Sequence, residues 1–308
     1  MGDPGRNSLD VSIILPVFNE VEHLQDEVDR IRSAMDASEY SYEIIVVDDG
    51  SSDGSGEAAN AIGGLRVIRF GQNRGSGSAR KAGTAAARGR VTVWTDVDMT
   101  YPNDTIPQLV KELDGYDQVV GARTSEEGTQ KALRVPAKWF IRKLASFLTS
   151  TRIPDLNSGF RAFRTDVARQ YIRHLPAGFS CVTTMTMTFL ANGYSVKYVP
   201  IEYAKRAGRS KFHPIKDTQR YGTQVVRMVL SYNPLRIFMP LGVGLLVLGL
   251  GKAVYDVSEY NWHLTTNTLL ILFAAFQIIV IGLLADLVVR VSRDRDETTP
   301  ALVTTFEE

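Results

Sequence analysis

Two nearly continuous apolar runs, Ile237 to Val254 and Thr268 to Val289, most constrain what this 308-residue chain can fold into. Their only charged residues are Lys252 and Asp286. At about 1.5 Å rise per residue, each is roughly long enough to cross a hydrocarbon core of about 30 Å. The C-terminal quarter therefore reads as a two-helix transmembrane hairpin over 235–290. Lys252 and Asp286 would lie near opposite faces of the bilayer, each snorkelling instead of pairing with the other. Arg236 precedes the first run and Arg290, Arg293 and Arg295 follow the second, while the connection carries Asp256 and Glu259. The positive-inside rule then puts both ends in the cytosol, at the inner (cytoplasmic) membrane.

Upstream of about residue 230 the apolar residues alternate with polar ones, and the pattern is that of an α/β domain, expected over 11–212. Val11 to Leu15 reads as a strand closed by Pro16, followed by helical spacing at Val21, Leu24, Val28, Ile31 and Met35. The unit repeats: a strand at Glu43 to Val47 with a weak helix at Gly54 to Ile62, a strand at Leu65 to Phe70 with an Ala-rich helix up to Arg88, then a strand at Val91 to Thr95. Alternating strands and helices argue for a mostly parallel sheet covered on both faces. Residues 1–10 read as a disordered leader without an apolar core. Residues 213–234 read as a juxtamembrane segment and 291–308 as a cytosolic tail, disordered after Arg295. Lys131 to Thr151 and Asp217 to Tyr232 have amphipathic spacing suited to the lipid interface. The single cysteine, Cys181, excludes an intramolecular disulfide.

Ligands of such sheets bind beyond the carboxyl ends of the strands. Pro16 to Glu20, Asp48 to Asp53 and Asp96 to Asp98 fall at such ends. Asp96 and Asp98, at i and i+2 of an extended segment, would project to one face and can approach one hard divalent cation, which bridges phosphates readily. Asp49 and Asp53 are also open to reading as turn and helix caps, the reading favoured for Asp53. The four histidines are scattered without ligand spacing, against a histidine-built metal site. Asn103-Asp104-Thr105 matches a glycosylation sequon that a cytosolic domain would leave unused. A net charge of +1 says little by itself, and no nucleic-acid partner is expected.

Six segments in order resemble glycosyltransferase family 2, in particular its polyprenyl-phosphate glycosyltransferases, the dolichyl-phosphate mannose synthases and bacterial polyprenyl-phosphate glucosyltransferases. They are Leu15-Pro16-Val17-Phe18-Asn19-Glu20, Val47 to Asp53, Asp96-Val97-Asp98, Gly121-Ala122-Arg123, Asp155 to Arg161, and Arg206-Ala207-Gly208-Arg209-Ser210-Lys211. The resemblance implies a GT-A (Rossmann-like) fold and inverting transfer of a hexosyl group from a UDP- or GDP-sugar to a polyprenyl phosphate in the bilayer, with Mg²⁺ or Mn²⁺ as cofactor. It places the nucleotide sugar against Pro16, Phe18, Glu20, Asp48, Asp96 and Lys211, and the metal on Asp96 and Asp98. The acceptor phosphate falls to Arg123, Arg134, Ser158, Lys205 and Arg206. Related synthases often carry glutamine where this chain has Thr100.

No general base is required of such a site, because a phosphate monoester, with its second pKa near about 6, is already anionic at neutral pH. The site must supply positive charge and alignment. Asp155 would bind a sugar hydroxyl or orient an acceptor-site arginine, and Arg161 could be a structural partner of Asp155. Gly75-Ser76-Gly77-Ser78-Ala79-Arg80 loosely matches a dinucleotide-binding loop, but Arg80 stands at its third glycine position. The alternatives carried forward are a family 2 enzyme with a glycolipid or polysaccharide acceptor and a catalytically silent membrane scaffold. A homo-oligomer is compatible with either.

Overall fold

The structure is a computed structural model that describes residues 9–124, 146, 153–178, 180–204, 234–259 and 263–298. The chain divides into two units, Met1–Tyr221 and Gly222–Glu308. The sequence expectations for 1–8, for most of Lys131 to Thr151, for Asp217 to Tyr232 and for the tail beyond Thr298 lie outside the described residues.

In the first unit β1 (Val11–Val17), β2 (Tyr42–Asp48), β3 (Leu65–Arg69) and β4 (Val91–Trp94) alternate with α1 (Val21–Asp36), α2 (Ser55–Ala61) and α3 (Ser76–Ala86). A short 3-10 turn (Asn103–Thr105) leads into α4 (Ile106–Lys111), followed by β5 (Gln118–Arg123), β6 (Arg161–Arg164), α5 (Thr165–Tyr171), α6 (Cys181–Ala191) and β7 (Val196–Ile201). The strands form one seven-stranded sheet in the order β3-β2-β1-β4-β6-β5-β7. Every pairing is parallel except those of β6, which runs antiparallel to both β4 and β5. The chain moves from β1 outward to β2 and β3, then returns to place β4 on the other side of β1. That reversal marks the carboxyl edge beside β1 and β4 as the place where sheets of this kind bind ligands.

The strands form where β-branched residues run together. Val11, Ile13 and Leu15 face one apolar layer with Leu24, Val28, Ile31 and Met35 of α1, while Ile14, Ile45 and Val47 face the other with Ala79, Trp94 and Phe163. Both faces are covered, as parallel pairing requires. Helix α3 lies close on the sheet: a Cβ on Gly83 would stand 2.3 Å from Ile14 Cγ2.

The second unit is a helical hairpin of α7 (Leu235–Glu259) and α8 (Thr266–Thr298). Helix α8 continues beyond the apolar run that ends at Val289 and reaches Thr298, just past Arg295, after which the sequence suggested a disordered tail. Both helices are long and apolar enough to cross a membrane, with mean hydropathies of 2.0 and 2.6, and they bury little of themselves. Leu248, Val254, Leu270, Phe273 and Phe276 point outward, a surface suited to lipid. The two helices meet at small residues, since a Cβ on Gly242 would stand 2.5 Å from Ile279, and one on Gly249 2.7 Å from Leu272. Lys252 does more than the expected snorkelling: its ammonium donates to Asp256 at 2.9 Å, and Asp256, fully buried, also accepts from Thr265 and Thr268.

Replacing Gly83 by alanine is expected to cost about 1–3 kcal/mol through overpacking against Ile14, read as a lowered denaturation midpoint of the purified protein.

Candidate active site

The site is assembled from loops at one edge of the sheet. The loop after β1 is fastened to the loop after β2: Ser51 Oγ accepts from the Asn19 amide and Ser55 Oγ from the Glu20 amide, both at 3.0 Å, while Asn19 Oδ1 accepts from the Ser52 amide at 2.8 Å. Asn19 adopts the left-handed conformation (φ 55°) that this return demands. Pro16, Phe18 and Glu20, all half-buried, thus lie on the segment fastened to the loop that follows Asp48.

Asp48 itself is buried. Its carboxylate accepts from the Ser51 amide at 2.9 Å and from Arg69 at 3.3 Å. Asp49 takes the amides of Arg74 and Gly75 at 2.7 and 2.8 Å, tying the β2 loop to the start of α3. Asp53 accepts from the amides of Ser55 and Val21, the capping role favoured from sequence. Burial alone would raise the Asp53 carboxyl, but these hydrogen bonds hold it below its ordinary value.

Asp96 and Asp98 lie past the end of β4, with a bend at Val97 to Met99 in place of the extended segment the sequence suggested, and Met99 is left-handed there (φ 59°). Asp96 accepts from Arg80, whose side chain is only 3% exposed and also lies over the Trp94 ring. Asp98 accepts from both the hydroxyl and the amide of Thr100. Thr100 thus orients the second acid, a role distinct from that of a ligand.

From β5, Arg123 grips Asp155 with two side-chain bonds, Nε to Oδ2 at 2.7 Å and Nη2 to Oδ1 at 3.0 Å, and its backbone amide adds a third at 3.3 Å. Burial works against both charges. In Asp155 it is outweighed by the hydrogen bonds and charge of Arg123 and by the Asn157 amide, which hold the carboxyl below its usual range. In Arg123 the Asp155 carboxylate overcomes burial and raises the guanidinium pKa. Of the roles open to Asp155, orienting an arginine is the one the geometry displays.

Aromatic rings connect this pair to the acids. Arg123 stacks over Tyr203 at 5.2 Å, Tyr203 meets Tyr101 edge-on at 5.2 Å, and Tyr101 stacks on Phe160 at 5.7 Å. The Tyr101 hydroxyl accepts from the Gly159 amide at 2.8 Å. A Cβ on Gly159 would stand 3.1 Å from both Asp96 Oδ2 and Arg80 Nη2, so only glycine lets this loop lie against the acid without displacement.

Two expectations are corrected. Ser158 is fully buried and its hydroxyl accepts from the Phe160 amide at 3.3 Å, so the side chain faces inward and not toward an acceptor phosphate. Arg161 does not pair with Asp155. It is fully buried and donates to the Ser158 carbonyl, the Val182 carbonyl at 2.7 Å and the Thr186 hydroxyl at 2.9 Å. Loss of solvation, together with the charge of Arg80, pushes its pKa down to about 10. Arg134, Lys205, Arg206 and Lys211 lie outside the described residues. Arg80 and Tyr101 were not singled out as site residues from sequence. The acid-side partner of Arg80 is invisible without the fold, although its place at the head of a Gly-rich helix start was a usable signal.

Asp96 and Asp98 suit a hard divalent cation by donor type. Among the described residues no group of three or more His, Cys, Asp or Glu forms a self-sufficient metal cluster. A cation here would complete its shell with water and donor phosphate oxygens, the usual manner of Mg²⁺ sites.

The Glycosyl transferase family 2 model matches residues 12–172, and the GtrB C-terminal hairpin model matches residues 233–291. The chain belongs to glycosyltransferase family 2. It is 25% identical over 312 residues to the dodecaprenyl-phosphate galacturonate synthase of Rhizobium johnstonii, covering 95% of this chain and 91% of that protein. The dolichyl-phosphate hexose transferase of Haloferax volcanii is 30% identical over 227 residues, with 72% and 95% covered. The undecaprenyl-phosphate 4-deoxy-4-formamido-L-arabinose transferase of Edwardsiella ictaluri is 29% identical, with 92% and 90% covered. Among solved structures, glucosyl-3-phosphoglycerate synthase from Mycobacterium tuberculosis in complex with Mn²⁺ and UDP-glucose superposes with a TM-score of 0.56 at 24% identity, covering 73% of this chain and 79% of that one. This likeness establishes the fold, a mostly parallel mixed sheet of GT-A type, as the sequence led one to expect.

Asp155→Ala strands the Arg123 charge and is expected to cost on the order of 3–5 kcal/mol at neutral pH. Because the Asp155 pKa is depressed in the folded protein, the pair's contribution is present above the unfolded value of about 3.9 and lost as pH falls through the folded one. Thermal unfolding followed from pH 7 to pH 3 should therefore show the gap between wild type and variant narrowing toward the acid end.

Proposed function

We propose that this protein transfers a hexosyl group, with inversion, from a UDP- or GDP-sugar to a polyprenyl phosphate in the same membrane leaflet. The observation that carries the reading is the union, in one chain, of a family 2 domain with a GtrB-type hairpin. Relatives that match over most of their length include proteins named for a polyprenyl phosphate, the dodecaprenyl-phosphate galacturonate synthase and the undecaprenyl-phosphate 4-deoxy-4-formamido-L-arabinose transferase. The hairpin anchors the enzyme beside its lipid, with the catalytic domain and both termini on the cytosolic side, as the flanking arginines favour.

In this reading Pro16, Phe18, Glu20 and Asp48 bound the nucleotide, with the diphosphate lying toward Asp96 and Asp98. When bound there, Mg²⁺ or Mn²⁺ neutralises charge on the departing nucleoside diphosphate. Arg123, held in one rotamer by Asp155 and by the Tyr203 ring, presents its charge to the acceptor phosphate, whose own anionic oxygen is the nucleophile. A guanidinium fixed in this way costs little reorganisation as the acceptor docks. Arg134, Lys205, Arg206 and Lys211 add the positive charge that two phosphorylated substrates call for.

Purified protein in detergent, given labelled UDP- and GDP-sugars, polyprenyl phosphate and Mg²⁺ or Mn²⁺, is expected to form a lipid-linked sugar from one donor and to lose the activity in EDTA. Donor hydrolysis without lipid product would overturn the acceptor assignment. Asp98→Ala is expected to reduce transfer by at least about a hundredfold with an unchanged unfolding temperature, and normal turnover by this variant would refute the metal assignment.

A further inference from the structure

Behind the two acids lies a buried polar assembly that the proposed chemistry does not use. Glu27 occupies the apolar stripe of α1, between Leu24 and Ile31, and is fully buried. A carboxylate in such a place is costly unless it is held by partners. Its Oε1 accepts from Asn103 Nδ2 at 2.6 Å, while Oε2 has no hydrogen-bond partner. Asn103, also fully buried and therefore closed to glycosylation, spends every side-chain atom on this junction. The same Nδ2 donates to the Asp96 carbonyl at 3.1 Å, and Oδ1 accepts from the Thr95 hydroxyl. Arg30, one turn further along α1, donates to the Tyr101 carbonyl at 3.3 Å and pairs with Asp104. Helix α1 thus grips the far end of the turn that carries Asp96 and Asp98, and Asn103 ties that end back to the Asp96 carbonyl across the left-handed Met99, a conformation that needs external support.

We propose that Glu27 and Asn103 are positioning residues that set the Asp96-to-Asp98 turn for a divalent cation. The inference rests on the reading of that turn as the metal-diphosphate site. The Glu27 carboxylate fixes the Asn103 amide, and the amide holds the Asp96 carbonyl, so the path of the backbone between the two acids is determined from the core side of the sheet. A carbonyl released from this bond would leave the bend at Val97 to Met99 free to shift, and with it the spacing of the two carboxylates.

The test is Mn²⁺ binding to the full-length protein in detergent, read by the loss of free Mn²⁺ EPR signal, alone and with UDP or GDP. Asn103→Asp keeps the volume but faces two acceptors with a third, and is expected to weaken Mn²⁺ binding tenfold or more. Glu27→Ala is expected to do the same, whereas Glu27→Gln, which keeps the acceptor, should stay within threefold of wild type. Binding is measured on monodisperse protein from size exclusion, with Asn103→Ser used where Asn103→Asp is not recovered. Folded Asn103 variants with wild-type Mn²⁺ affinity, or Glu27→Gln as weak as Glu27→Ala, overturn this proposal alone. Wild-type protein that takes up no Mn²⁺ with either nucleotide overturns the metal reading and this proposal with it.

Discussion

The antiparallel seat of β6 beside β4 is the constraint on which the site depends. In an all-parallel sheet the segment entering the strand next to β4 would arrive at the opposite edge. Here Trp94 pairs with Arg161, so the chain leaves β4 and enters β6 at the same edge. The Asp96 turn and the Asp155-to-Phe160 loop are thereby forced into contact. The Tyr101–Gly159 bond, the approach of Gly159 to Asp96 and the stack of Tyr101 on Phe160 all follow from that one reversal. Strand β5, on the far side of β6, then delivers Arg123 to Asp155 across the same edge.

The first four strands were legible because each is a short apolar run closed by Pro, Gly or Asp, and β1, β2 and β4 sit deep enough to be buried on both sides, while β3 at the sheet edge keeps Val67 and Ile68 between two arginines. Strand β6 was not, since it begins with a buried arginine and ends with an exposed one, a pattern that reads as surface. Among the site residues, Asp96, Asp98, Arg123 and Asp155 stood out through their motifs. The sequence left open whether Asp155 answered Arg123 or Arg161, because both lie at plausible distances along the chain and only the sheet order separates them. Asn103 was visible only as a sequon, its partners being 76 residues earlier on α1 and at the end of β4. Glu27 did leave a trace: an acid set into the stripe of Leu24, Val28 and Ile31 breaks the amphipathic pattern at a position where leucine would serve packing better.

The helical hairpin obeys different rules from the sheet domain. With lipid outside, apolar side chains gain little by turning toward one another, so close contacts are made at glycines, and Lys252 and Asp256 meet near the connection. Asp256 is answered there by Lys252 and by two threonines, which satisfies a carboxylate that the hairpin has buried. The short link between the two helices suits insertion as a pair.

The peptide unit between Ser158 and Gly159 is gripped at both poles. Its carbonyl accepts from the Arg161 guanidinium, a full charge met otherwise by neutral oxygens, and its N–H donates to the Tyr101 hydroxyl. A cation at the oxygen draws electron density across the amide and makes the N–H a stronger donor, so the two bonds reinforce each other. The plane of this peptide cannot rotate without breaking both. Arg161, buried at the start of β6, therefore acts as a lock on the orientation of the phenol beside Asp96, and the chain keeps a buried charge whose first partner is this one amide.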